Sequence, residues 1–361
     1  MALLYNAAIV GATGMVGQRL ATLLADHPWF KLAAVAASKS SAGKTYAQAV
    51  EGRWVMPEPP PESAARLTVM DASDIEAVAS SCDFLFCAIN LNEEDTLALE
   101  ESYARSGTPV ISNNKAARML PDSPMLIPEL NPHHAPVIEL QRKRLGTKTG
   151  FIAVKPNCSI QCYAPALHPL IDYRIEKVFV STYQAISGGS KTFSTYPDIL
   201  DNIVPYIPGE EEKSEREPLK IWGVLTADGI KPAESPIVSA HCVRVPVSDG
   251  HLATVSVKFT RKPSMKDIID RWRAFEPLPQ RWNLPSAPKP FLQYLDEPDR
   301  PQTKLDRDFG RGMGVSIGRL REDAIFDYRF AALSHNTIRG AAGGAVLTAE
   351  LLAREGYIVR K

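Results

Sequence analysis

Ala7-Ala8-Ile9-Val10-Gly11-Ala12-Thr13-Gly14-Met15-Val16-Gly17 decides how the rest of the chain is read. A short apolar run ends in glycine. Apolar residues then recur at helical spacing through Val16, Leu20, Leu23 and Leu24. Strand, glycine turn and helix in that order are what a dinucleotide-binding turn requires. Glycine permits a tight turn and close backbone approach to a pyrophosphate, and the helix N-terminus offers free N–H groups to the anion. The spacing is G-x-x-G-x-x-G, not the commoner G-x-G-x-x-G. Glycines alone would equally serve a turn that only packs helix on strand. Their place between a buried strand and a helix favours the nucleotide reading. The contacts expected of this turn are Gly11, Thr13, Gly14, Met15 and Val16.

Working outward, Leu32–Ala37, Asp83–Ile89 and Pro109–Ser112 are further continuous apolar runs. Such runs, separated by helical stretches, indicate a parallel sheet covered on both faces. The fold class expected is α/β, Rossmann-like, followed by an α+β second domain. An NAD site usually ends its second strand in Asp or Glu, which accepts from the ribose 2′-OH. Here that strand runs into Ser38-Lys39-Ser40-Ser41 with no carboxylate. Ser38, Lys39 and Ser41 offer hydroxyls and an ammonium to a 2′-phosphate, which points to NADP. A solvated polar loop is the alternative for each of these residues.

The pattern changes near Asn131-Pro132-His133-His134-Ala135-Pro136. Beyond it, Val178–Gln184 and His251–Phe259 alternate as one-face-buried strands do. The division expected is a nucleotide-binding domain over 1–133, a catalytic and dimerisation domain over 134–335, and a C-terminal helix within 336–361 that completes the first domain. The segment Pro277–Pro301 holds seven prolines and little periodicity. It reads as an extended arm or flap, a candidate for a subunit contact.

The chain has 361 residues, with 41 Lys+Arg against 41 Asp+Glu. A net charge of zero argues against a nucleic-acid partner, whose affinity comes from clustered cations on phosphate. No apolar run reaches the roughly 18 residues of a membrane-spanning helix. The start, Met1–Asn6, lacks the charged and apolar regions of a signal peptide. Five cysteines, an odd number in a long chain, fit a reducing compartment better than a disulfide framework. A cytoplasmic location is therefore expected.

Lys155-Pro156-Asn157-Cys158-Ser159 follows the apolar run Phe151–Val154 and precedes a helical stretch limited by Pro165. A thiol at a helix N-terminus is expected to have a lowered pKa, with neighbouring N–H groups able to hold an oxyanion. Cys82, Cys87 and Cys242 read as structural. Cys158 and Cys162 are one helical turn apart but lack a second ligand pair, so no metal is expected. The base that serves the thiol must be His, Asp or Glu brought close by the fold. Among seven histidines, His251 opens a strand after the Asp249-Gly250 turn, with Arg244 shortly before it. Taken alone, His251 reads as surface or structural, and Arg244 as a surface cation.

In combination these segments resemble aspartate-semialdehyde dehydrogenase over nearly the whole chain. The resemblance rests on Gly11–Gly17, Ser112–Arg118, Pro156–Ser159, Gln184–Gly188, Glu210–Lys213, the Arg244/His251 pair and His335–Ala342. It is nearest the branch shared by archaea, fungi and some bacteria. It implies Cys158 as nucleophile, His251 as general base and acid, and Gln184 as orienter of the acyl group. It also implies Arg244 on the substrate carboxylate, Glu210 on its amino group, and Lys213, Asn114 and Arg118 on phosphate. Ser187, Gly188 and Asn336 would touch the nicotinamide half of NADP.

The implied reaction is reversible, phosphate-dependent oxidation of L-aspartate 4-semialdehyde through a thioester, by a homodimer or homotetramer. The chain departs from the family at Ser187-Gly188-Gly189-Ser190, where Ser-Gly-x-Gly is frequent. Three alternatives stay open. One is a related acyl-phosphate or acyl-CoA reductase, such as a malonyl-CoA or an N-acetyl-glutamyl-phosphate reductase. Another is hydride transfer without a covalent step, and the last a non-catalytic NADP-binding sensor.

Overall fold

A computed structural model describes residues 4–361. Met1–Leu3 of the N-terminal stretch lie outside the described residues. Six strands form the first sheet: β1 (Tyr5–Val10), β2 (Phe30–Ala37), β3 (Val69–Asp71), β4 (Phe84–Cys87), β5 (Val110–Ser112) and β6 (Ile152–Val154). They lie in the order β3-β2-β1-β4-β5-β6 and every pair is parallel. Ala7–Val10 and Phe84–Cys87 are fully buried, as a strand covered on both faces must be. The chain order reverses between β1 and β4. In open parallel sheets a ligand crevice opens at the carboxyl ends of the strands at such a point.

The C-terminal helix Gly343–Arg354 packs on β5 and on the Met15–Leu24 helix, with Gly343–Ala353 all buried. A π-helical turn, Ile338–Ala342, leads into it. β6 lies beyond the boundary expected at 133/134. The run Phe151–Val154 is wholly buried and its strand pairs in parallel with β5.

The second sheet is mixed. Its strands are β7 (Ile175–Gln184), β10 (Ile237–Arg244), β11 (His251–Phe259), β12 (Leu292–Leu295), β13 (Val315–Glu322) and β14 (Tyr328–Ser334). They lie in the order β10-β7-β11-β14-β13-β12. A small separate hairpin is made by β8 (Val224–Thr226) and β9 (Gly229–Lys231). Along β11, Ala253, Val255 and Val257 face inward and Thr254 and Lys258 outward. The inward face packs on the Ile160–Leu167 helix, which is buried along its whole length. Pro165 lies inside that helix, which ends two residues later at Leu167.

Pro277–Pro301 is not an extended arm. It holds a short helix, Leu278–Arg281, and β12, which pairs with β13. Leu284, Phe291 and Leu292 are buried, and the Ser286 N–H donates to both carboxylate oxygens of Glu350 at 3.1 Å. Prolines hide the apolar periodicity of this stretch without preventing its packing.

Candidate active site

Two cavities flank the glycine turn. A cleft of about 430 Å³ at the carboxyl ends of β1, β2 and β4 is lined by Gly11, Thr13, Gly14, Ser38, Lys39, Asp71 and Asn90, among others. A second, of about 280 Å³, is lined by Met15, Val16, Asn113, Cys158, Glu210, Lys213 and Asn336, among others. One turn therefore has its first residues in one cavity and its last in the other. Gly11 has φ +86°, and a Cβ there would meet the Ala88 carbonyl oxygen at 2.5 Å. A Cβ at Gly17 would collide with the Gly11 carbonyl oxygen. The backbone is thus as close as the turn allows, which leaves the cleft open for a pyrophosphate.

Ser38 and Lys39 line the cleft, but Ser41 does not. Its backbone N–H closes a turn onto the Ser38 carbonyl at 2.8 Å, and the residue is buried. A carboxylate does line the cleft, Asp71 at the end of β3. Its Oδ1 accepts from the Ser73 N–H at 2.9 Å and hydroxyl at 2.7 Å, which lowers its pKa.

In the second cavity the Cys158 sulfur lies 3.5 Å from Nε2 of His251. The thiol is half-buried and precedes the Ile160–Leu167 helix, as expected. The expected downward pKa shift is not found. Burial and the nearby Glu210 carboxylate push the thiol up, outweighing the opposing cations Lys155, Arg118 and Arg244. Two backbone amides at the nucleophile are also taken. The Cys158 N–H donates to Asn157 Oδ1 at 2.8 Å, and the Asn157 N–H to Glu217 Oε2 at 2.5 Å.

His251 is fully buried at the start of β11. The backbone N–H of Ala185 donates to its Nδ1 at 3.0 Å. A neutral imidazole then carries its proton on Nε2, the nitrogen facing the sulfur. Burial, and then the neighbouring Arg244, push the imidazole down to about 3. At neutral pH the pair is a neutral thiol beside an imidazole that donates to it. To act as a base, Nε2 must first lose its proton, with Nδ1 giving up the Ala185 hydrogen bond.

Glu210 opens the Glu210–Ile221 helix and is nearly buried. Its Oε1 pairs with Lys213 at 2.8 Å, and its Oε2 accepts from Asn157 Nδ2 at 2.8 Å and Gln184 Nε2 at 3.1 Å. Burial pushes its pKa up, but these partners outweigh it and the net shift is downward. Gln184 is buried and turned towards Glu210 and Thr182. Arg244 Nη1 donates to the Ala185 carbonyl at 2.7 Å. It meets His251 across Gly188, where a Cβ would lie 3.0 Å from both side chains. Asn336 ties loops together, donating to Ser187 Oγ and accepting from the Gly250 N–H, each at 2.8 Å. At the family departure, Ser190 adopts the left-handed conformation (φ 55°) that glycine would take most readily.

Asn114 does not reach the cavity. Its Nδ2 donates to the fully buried Glu100 at 2.8 Å and lies 3.4 Å from the Cys87 sulfur. The neighbouring Asn113 lines the cavity instead, and its amide oxygen and nitrogen are buried with no partner. The Asn113-Asn114 repeat made the two indistinguishable by type. Lys115 also lines the cavity and pairs with Glu93 at 2.8 Å. Lys155 escaped the sequence reading. It is buried in the cavity wall, its ammonium donating to the Pro156 carbonyl, and burial lowers its pKa to about 7.

No group of three or more His, Cys, Asp or Glu among the described residues is placed to hold a metal ion. The cysteines are all unpaired. No helix among the described residues is long and apolar enough to cross a membrane.

A nucleotide cleft that opens onto a paired thiol and imidazole marks an oxidoreductase of the semialdehyde dehydrogenase class. The family models agree. "Semialdehyde dehydrogenase, NAD binding domain" matches residues 6–137, and "Semialdehyde dehydrogenase, dimerisation domain" matches 167–339. The chain is 40% identical to the aspartate-semialdehyde dehydrogenase of Archaeoglobus fulgidus, over 98% of this chain and 99% of that one. It is 41% identical to that of Aspergillus fumigatus, over 97% of each. A crystal structure of the Candida albicans enzyme with NADP superposes with a TM-score of 0.88 at 39% identity, covering 98% of this chain and 100% of that one. The chain belongs to the aspartate-semialdehyde dehydrogenase family.

Proposed function

We propose that the chain interconverts L-aspartate 4-semialdehyde and L-4-aspartyl phosphate with NADP(H), through a thioester on Cys158. This reaction serves lysine, methionine and threonine biosynthesis. The observation that carries the reading is the Cys158 sulfur, 3.5 Å from His251 Nε2, in a cavity that Met15 and Val16 join to the nucleotide turn. Gly11, Thr13 and Gly14 hold the pyrophosphate, and Ser38 and Lys39 the 2′-phosphate. Ser187, Gly188 and Asn336 border the nicotinamide half. NADP supplies or accepts the hydride when bound.

In the oxidative direction the Cys158 sulfur adds to the aldehyde carbon, and loss of hydride leaves a thioester. A phosphate oxygen then adds to the thioester carbonyl, the C–S bond breaks, and aspartyl phosphate departs. With the Cys158 and Asn157 amides occupied, His251 Nε2–H is the donor placed beside the sulfur for the developing oxyanion. When the thiol's proton must be accepted, the same ring serves by moving its own proton to Nδ1. Gln184 turns from Glu210 to orient the acyl group.

Arg244 grips the α-carboxylate, a two-pronged task suited to a guanidinium. Glu210 takes the α-amino group, displacing Lys213. Lys213 and Arg118 then face the phosphate, joined by Asn113 and its unpartnered amide.

The catalytic region begins after Val154, where the parallel sheet ends, and the C-terminal helix returns to the nucleotide region. The chain assembles as a homodimer or a homotetramer. The outward face of the second sheet, with Ser239, His241, Thr254 and Arg329 exposed, is left uncovered by this chain and supplies the contact. Five free cysteines suit a cytoplasmic enzyme.

The test is NADP reduction with L-aspartate 4-semialdehyde, comparing phosphate with CoA as acceptor. Phosphate-dependent turnover, lost by orders of magnitude in Cys158→Ser, is expected. Turnover with CoA alone, or substantial activity in Cys158→Ser, would overturn the proposal.

A further inference from the structure

The Glu210–Ile221 helix touches both neighbours of the nucleophile. Glu210, Ser214 and Glu217 fall on one face, at the i, i+4, i+7 spacing that aligns successive turns. Glu210 accepts from the Asn157 side chain, Ser214 Oγ lies 3.3 Å from Ser159 Oγ, and Glu217 accepts from the Asn157 backbone N–H. Cys158 is thus fixed from both sides by one helix.

Glu217 does more than hold Asn157. Its other oxygen accepts from Arg118 Nη1 at 2.9 Å, and both side chains are buried. Arg118 completes its hydrogen bonds with the carbonyls of Lys155 at 3.1 Å and Asn113 at 3.3 Å. Three residues on from Glu217, Lys220 donates to the carbonyls of Arg118 and Leu120 at 2.6 Å and of Ser123 at 2.9 Å. The helix therefore grips the Arg118 segment by both its guanidinium and its backbone.

We propose that Glu217 is a positioning residue. Its carboxylate bridges Arg118 to the backbone N–H of Asn157, the residue before Cys158, so that the phosphate cation and the sulfur are placed by one group. The inference rests on the reading of Arg118 as a phosphate ligand. Charge alone would give Glu217 the opposite effect. A buried carboxylate beside Arg118 weakens the pull of that cation on phosphate, so its removal would tighten phosphate binding. A positioning role requires phosphate binding to weaken, because an amide cannot accept from two N–H donors with both of its heavy atoms.

The experiment measures KM for inorganic phosphate and for NADP in wild type, Glu217→Gln, Glu217→Asp and Arg118→Ala. In Glu217→Gln, phosphate KM is expected to rise about tenfold or more, the scale of one lost charge-assisted hydrogen bond, with NADP KM within about twofold of wild type. Glu217→Asp keeps the charge but shortens the reach, and is expected to move phosphate KM in the same direction. It carries the test alone if Glu217→Gln does not fold.

A phosphate KM that is unchanged or lower, an equal loss in both KM values, or failure of both variants to fold would overturn the proposal. Arg118→Ala separates the two claims. If it leaves phosphate KM unchanged, the phosphate reading itself fails. If it raises phosphate KM while the Glu217 variants do not, only the positioning role fails.

Discussion

Cys158 and Glu210 share one small cavity and oppose each other there. The carboxylate favours the neutral thiol, and burial acts in the same direction. The thiol's pKa lies above its ordinary value, so thiolate is scarce at pH 7 and grows as pH rises towards that pKa. Alkylation of Cys158 by iodoacetamide in the ligand-free protein is therefore expected to accelerate up to at least about pH 9, with no plateau near neutrality. A plateau between pH 6 and 7 would contradict this. Glu210→Gln is expected to have two opposite effects. Alkylation at pH 7 becomes faster because the repulsion is gone, while turnover falls because the substrate amino group loses its partner. Alkylation slower than wild type would count against the account.

At this scale the sequence disclosed residue types but not partnerships. Cys158, His251 and Arg244 were legible as a set only through family resemblance, since His251 lies 93 residues from the sulfur. Asn113, Lys155 and Glu217 gave no local signal. Glu217 meets Asn157 and Arg118 across 60 and 99 residues. The upward shift of the thiol was hidden for the same reason. A helix N-terminus is visible in the chain, but burial and a distant carboxylate are not.

Among the elements, the turn that enters the C-terminal helix has no room beside the nucleophile. A Cβ on Gly340 would lie 2.7 Å from the Cys158 Cβ and 3.2 Å from its Cα. These are backbone and first-carbon atoms that cannot swing aside. Gly340→Ala is expected to push the nucleophile out of line, lowering kcat at least tenfold. The accompanying loss of stability is about 1–3 kcal/mol, the scale of overpacking a tight interior. NADP affinity should be retained, because the glycine turn at Gly11–Gly17 is elsewhere. Equal kcat in the variant, measured beside its NADP titration, would show that the contact does not position the sulfur. Elements with strong periodicity were readable in advance: β2, β4, β5, β7 and β11 all lie where continuous or alternating apolar runs placed them. The misreading was over Pro277–Pro301, and the run that forms β6 was read as a strand without its sheet. In both cases the decisive partner is a distant strand edge.

Over the whole molecule, three buried histidines and the half-buried His168 share one electrostatic bias. Burial lowers His134, His168 and His335 to about 4 and His251 to about 3. Each stays neutral in the folded chain while its unfolded counterpart takes up a proton below about pH 6.5. The unfolded state then binds more protons, so stability is full above that pH and is lost as pH falls towards 4. Tm is expected to drop steadily from pH 7 to pH 4.5, and a flat Tm would contradict the burial of these rings. Yet acid stability concerns only the frame. The central claim is a covalent bond to one sulfur within that frame. The direct measurement is intact-protein and peptide mass spectrometry after incubation with L-4-aspartyl phosphate and no NADPH. The account predicts an aspartyl group on the peptide containing Cys158, released when NADPH is added and absent from Cys158→Ser. An unmodified Cys158 in protein that still turns over, or acylation at another residue, would contradict it.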